Sequence, residues 1–221
     1  MVSRLIGFRS PSGALRRAIE LSEQGKAIEA FPLLARAAKA GLAEAEYRVA
    51  RCYLEGVGVP PSRAEGSRWL QRAASQGLVE AQTLLAALCV HGLAELKDKA
   101  PGDQAEHLFA AEGETSPDFA AALGWARRAA DAGSAQGQAI LAYVLTHGPD
   151  NIRDLEAAHR WYERSASAGC PEGCLGYALS LAPRTKDGEG RRRVAEFLRH
   201  AAEAMLPRWV CAPPSFAGAW R

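Results

Sequence analysis

The sequence predicts an all-α fold, a solenoid of about five helix-pair repeats with a 36-residue period and one insertion. Three observations carry that prediction. First, AA-x-x-G recurs as Ala37-Ala38 with Gly41, Ala73-Ala74 with Gly77 and Ala129-Ala130 with Gly133; Ser165-Ala166 with Gly169 is a variant, and Ala201-Ala202 has Met205 in the glycine's place. The intervals between these positions are 36, 56, 36 and 36, so one unit carries about 20 extra residues. Second, other columns keep the same register. A large apolar residue stands at Leu33, Trp69, Trp125, Trp161 and Phe197, a small one at Ala30, Gly66, Ala122 and Ala158, and alanine at Ala50, Ala86, Ala142 and Ala178. Third, aromatic residues make up only 7% while alanine is abundant. Helices pack closely through small residues, whereas strands favour β-branched and aromatic ones.

The elements follow in order. The first pair is expected at 12–24 and 27–40, the second at 43–55 and 62–76, and the third at 79–91 and 118–132. The fourth is expected at 135–147 and 154–168, and the fifth at 171–182 and 189–205. Val49, Ala50 and Tyr53, like Leu141, Ala142 and Leu145, have helical spacing. The column glycines suit the left-handed position that ends a helix. Ser62 with Glu65 reads as a capping box, and Asp118 and Asp154 stand at the same repeat position as N-caps. The chain thus divides into an N-terminal segment 1–11, a repeat region 12–206 with its insertion at about 93–117, and a C-terminal tail 207–221. The tail holds Trp209, Phe216 and Trp220. No single pair can hide its apolar face, so stacked pairs must build the core together.

Composition narrows the function classes. A formal net charge of +2 is too small to point to nucleic acid or an anionic membrane surface. No apolar run approaches the roughly 20 residues of a spanning helix. The N-terminus has a short apolar stretch broken by Arg9 and Pro11, unlike a secretory signal. Cys52, Cys89, Cys170, Cys174 and Cys211 follow no regular spacing, which suits reduced thiols and a cytoplasmic location, or a periplasmic one if a signal has been removed.

The stretch Ala45 to Gly77, with Tyr53, Gly56, Val57, Gly58, Val59, Trp69, Ala73 and Ala74, resembles a Sel1-like repeat, a relative of the tetratricopeptide repeats. The resemblance covers about residues 27–205. It implies a right-handed α-α solenoid and a scaffold or adaptor role, with the first helix of each pair lining a concave groove. It also leaves open an immunity-type inhibitor of a partner enzyme. By that register the partner-binding positions are Glu44, Tyr47, Arg48 and Arg51 in the second unit and Thr83, Leu84 and Ala87 in the third. In the fourth they are Ala139, Ile140, Tyr143 and Thr146, and in the fifth Leu175, Gly176 and Leu179. Such a groove, charged at one end and apolar at the other, suits a protein or peptide partner with an acidic end and apolar anchors. The insertion is expected as a mobile surface loop or a flap over the groove, and the tail over the open end of the solenoid or in a groove.

Catalytic signals are few. His91 and His147 each precede a glycine and suit helix C-termini. Cys89 with His91, or Cys170 with Cys174, supplies too few ligands for zinc. No phosphate loop, serine elbow or zinc-protease helix is present, so no cofactor, no metal and no catalytic residue is expected. A hydrolase using polar residues near the insertion is the weaker alternative.

Overall fold

A computed structural model describes residues 10–92 and 116–210 of the protein. These fold into ten α-helices: α1 (Pro11–Glu23), α2 (Ala27–Lys39), α3 (Ala43–Glu55), α4 (Arg63–Ser75), α5 (Val79–Val90), α6 (Phe119–Asp131), α7 (Ala135–His147), α8 (Leu155–Ser167), α9 (Pro171–Leu181) and α10 (Gly188–Val210). A 3-10 turn, Ala182–Arg184, follows α9. Among the described residues there is no strand. Helix α10 runs past the expected end near residue 205, so residues 207–210 belong to it rather than to a tail. The expected segments at 1–9, 93–115 and 211–221 lie outside the described residues.

Local chemistry accounts for the helix ends. Gly77 (φ 90°) and Gly133 (φ 88°) sit in the left-handed region just beyond α4 and α6, where an L side chain would be strained. Asp154 Oδ1 accepts from the Ala157 N–H at 2.9 Å, and Asp118 Oδ1 from the Ala121 N–H at 2.9 Å. Ser62 caps α4 by accepting from the Glu65 N–H at 3.3 Å. The reciprocal half of that capping box does not form. Glu65 pairs with Arg68 at 2.9 Å, and the Ser62 N–H donates to Tyr53 O at 2.9 Å. The backbone already satisfies that donor, which leaves the glutamate free to turn outward. The same backbone bond recurs from Asp118 N to Cys89 O and from Asp154 N to Leu145 O, each at 2.9 Å. It closes the three central pairs at one position, and so joins α5 and α6 as one pair across the intervening 93–117.

Two compact units divide the chain, Met1–Ala129 and Ala130–Arg221. In the first, α1 to α5 pack each on the next. Its core is mostly alanine: Ala14, Ala18, Ala30, Ala37, Ala38 and Ala45 with Leu34 and Val49, then Ala50, Ala73, Ala74 and Ala81 with Leu70 and Leu85. In the second, α7, α8, α9 and α10 pack successively, and α9 also lies against α7. Ala142, Tyr162, Ala166, Cys174, Tyr177 and Ala201 form a core cluster there. The alanine column Ala50, Ala86, Ala142 and Ala178 is fully buried, at 0–1% exposure. Gly66 shows why the small column stays small: a Cβ there would lie 2.7 Å from the Leu54 side chain.

The tryptophan column is half-buried rather than sealed in the core. Each indole is covered by an arginine three residues on. Arg72 lies 4.6 Å from the Trp69 ring, Arg128 4.7 Å from Trp125 and Arg164 4.7 Å from Trp161. Trp-x-x-Arg is thus a second repeating pair, which places a cation on the ring face.

Candidate partner-binding site

In the first unit the expected contact residues lie on α3 and α5. Tyr47, Leu84 and Ala87 are half-buried, with Tyr47 and Leu84 packed on the second core cluster. Thr83 is buried, at 6% exposure, and its hydroxyl donates to Val79 O at 2.9 Å, so it cannot meet a partner. Arg48 donates to Glu44 at 2.6 Å, and Arg51 reaches Glu55 at 2.7 Å. The hydrogen bond with Glu55 raises the Arg51 pKa above its ordinary value. The face is therefore a row of local ion pairs rather than a basic strip. Each cation shares its charge with a carboxylate one helical turn away, which weakens the steering of an acidic partner expected from Arg48 and Arg51.

The second unit is different. Ala139 is buried at 4% and cannot touch a partner, and Ile140 is half-buried. Tyr143 on α7 is 40% exposed, and Leu175 and Leu179 on α9 are 36% and 63% exposed. All three stand at the register positions expected to face a partner, on helices that pack together. The Tyr143 ring stacks on His147 with centroids 4.2 Å apart, and His147 Nδ1 lies 3.1 Å from Tyr143 O.

Beside this row lies a cavity of 280 Å3, lined by residues of α7, α8, α9 and the 3-10 turn. Gly176 opens it. Earlier units carry Arg48, Leu84 or Ile140 at this repeat position, whereas a Cβ on Gly176 would collide with the ring of Tyr162. Burial pushes the Tyr162 hydroxyl's pKa up to about 12. Leu155, at 56% exposure, and Leu179 line the cavity as apolar residues, with Pro183 beside Arg184. Arg184 Nη1 and Nη2 donate to the two carboxylate oxygens of Glu156 at 3.1 and 2.7 Å. That pair holds the Glu156 carboxyl below its usual pKa. Sequence reasoning missed Leu155, Tyr162 and Arg184. The departure of Gly176 and Arg184 from their columns was the available signal.

His159 Nδ1 lies 2.8 Å from Ser180 Oγ at the edge of the same cavity. The serine hydroxyl donates to Tyr177 O at 2.9 Å. With its proton on Tyr177 O, the serine oxygen accepts from the Nδ1–H tautomer of His159. Cys89 is buried, which pushes its thiol up to about 12, and Cys174 Sγ lies 3.5 Å from His200 Nδ1. Among the described residues no three His, Cys, Asp or Glu side chains are grouped to hold a metal ion. Nor is any described helix long and apolar enough to cross a membrane.

The family model described as Sel1 repeat matches residues 43–78, 102–134 and 135–170. The chain carries Sel1 repeats at these three positions. The first Sel1 match coincides with the α3–α4 pair and the last with α7–α8. The middle match begins inside the stretch expected as an insertion, whereas the Asp118–Cys89 bond pairs α6 with α5. The fold is similar to that of a Sel1 repeat protein from Oxalobacter formigenes, with a TM-score of 0.71 at 22% identity over 89% of this chain and 72% of that one. It is also similar to c5321, a protective antigen of uropathogenic Escherichia coli strains with an SLR fold. That match has a TM-score of 0.72 at 21% identity and covers 91% of this chain, but 40% of the other. These likenesses establish the helical-repeat solenoid class. No curated protein matches the chain.

Proposed function

We propose that this Sel1-repeat protein is an interaction scaffold that holds a peptide or extended protein segment against the first-helix face of its second unit. Sel1 repeats generally serve as protein–protein interaction scaffolds and are typically non-catalytic. The observation that carries the finer reading is the row of exposed Tyr143, Leu175 and Leu179 on adjacent helices. Clustered apolar side chains left in water mark an interaction surface rather than a core. Tyrosine adds a polar tip suited to a wet interface. The first unit's own face, with Tyr47, Leu84, Ala87 and the Glu44–Arg48 pair, supports a weaker, more polar contact.

The test is differential capture from the native lysate. Wild type, a Leu175→Glu/Leu179→Glu double variant and an Arg160→Glu control are immobilised in parallel, and bound proteins are identified by mass spectrometry. A partner held by wild type and by the control but lost by the double variant is the expected result. A partner that survives the double change and is lost with Arg160→Glu would overturn the assignment of the face.

A further inference from the structure

We propose that the cavity beside Leu179 is a socket for one aromatic or large branched side chain from an acidic segment, with Arg184 pairing the segment's carboxylate. The inference rests on the docking face described above and names the chemistry it selects. Size supports the first half. An apolar cavity of roughly 150 Å3 admits benzene, and this one has 280 Å3. Its walls are largely aliphatic, with Leu155, Ala158, Leu179 and Pro183, and the ring of Tyr162 lies against Gly176.

Charge supports the second half. Arg184 lines the cavity and no carboxylate does. Two lining hydroxyls are committed: Thr146 donates to Ala142 O at 2.8 Å and Ser180 to Tyr177 O at 2.9 Å. A ligand's strongest polar handle is therefore the guanidinium. Its pair with Glu156 uses one N–H on each terminal nitrogen. Arginine carries five donors in a fixed fork, so a second carboxylate can be accepted without breaking the first pair. Leu179 belongs both to the exposed row and to the socket, so a segment lying on the row can turn one side chain inward.

Two small probes separate the parts, N-acetyl-L-phenylalanine with its free carboxylate and N-acetyl-L-phenylalaninamide without it. Each is titrated into the full ¹⁵N-labelled chain at neutral pH, and amide shifts are followed. Both probes should move Thr146, Gly176 and Ser180. The acid should bind about 3–10-fold tighter, the range expected for a partly exposed charge-assisted pair. Arg184→Gln should erase that preference and leave the amide's affinity unchanged. Glu156→Gln, which removes the competing carboxylate, should increase it. A circular dichroism melt on each variant confirms that it is folded. Equal affinities for the two probes, a preference that persists in Arg184→Gln, or a preference that falls in Glu156→Gln overturns the acid selectivity. Absence of shifts at the three cavity residues overturns the socket. In each of these cases, a partner still lost with the Leu175→Glu/Leu179→Glu double variant leaves the docking face standing.

Discussion

At the scale of single residues, small side chains and one buried charge decide most. Ala142 is fully buried between helices, so Ala142→Leu overpacks its site and should cost about 1–3 kcal/mol, read as a lower denaturation midpoint. An unchanged midpoint would mean that the site can absorb a larger side chain. Glu46 has no solvent exposure and is held by Arg72 at 2.7 Å and by the Gln76 amide at 2.6 Å. Arg72 also covers Trp69, so Arg72→Ala removes a ring contact and leaves a buried carboxylate with one partner fewer. That change should destabilise by roughly 1–3 kcal/mol, more than an ordinary surface arginine. Gln82, at the equivalent position, needs no cation because its amide donates to Ala74 O at 3.1 Å. Cys89 provides a chemical check. Its thiol is 1% exposed and its pKa is raised to about 12. The thiolate is the reactive form, so Cys89 should resist iodoacetamide at pH 8 in the native protein and label readily in urea. Native labelling as fast as that of half-exposed Cys52 would contradict the burial.

At the scale of the element, each of the three central pairs combines a cap, a backbone bond and a tryptophan covered by arginine. Asp154 shows how little each contributes alone. Asp154→Ala removes the α8 cap and should cost about 1 kcal/mol in a thermal melt. Its N–H bond to Leu145 O survives the change, so the pair should loosen without coming apart. The link between α9's turn and α8 depends on pH. Arg184 depresses the Glu156 pKa in the folded state, so this pair stabilises at neutral pH and its contribution fades as pH falls through the carboxylate range. Glu156 is fully exposed, so the loss should be small and local.

At the scale of the whole molecule, charge is balanced locally. A net charge of +2 accompanies ion pairs that mostly join residues three or four apart on one helix. Exposed pairs of that kind contribute little and are screened by salt. Melting temperature should therefore move by no more than a few degrees, roughly, between about 0.05 and 0.5 M sodium chloride. A large salt-dependent fall would show that long-range charge contributes more than the alanine-rich cores.

Periodicity and glycine placement were enough to locate the helices, because a repeat writes the same physical need at the same position several times. Ala50, Ala86, Ala142 and Ala178 announce a tight interhelical contact before any coordinate is known. The exposed row of Tyr143, Leu175 and Leu179 was also legible from register. The buried state of Thr83 and Ala139 was not, since both hold the same register positions and differ only in what packs over them. Spacing does offer Glu44 with Arg48 and Arg51 with Glu55 as pairs one helical turn apart, and both form. The socket lies furthest from the sequence. It exists because Gly176 lets the Tyr162 ring cross the space that a side chain fills in other units, and because Arg184 and Glu156, 28 residues apart, meet at one end. One-dimensional pattern determines which faces are small, apolar or capped. Only the packed chain decides which ring takes a missing side chain's place and where a cavity is left beside it.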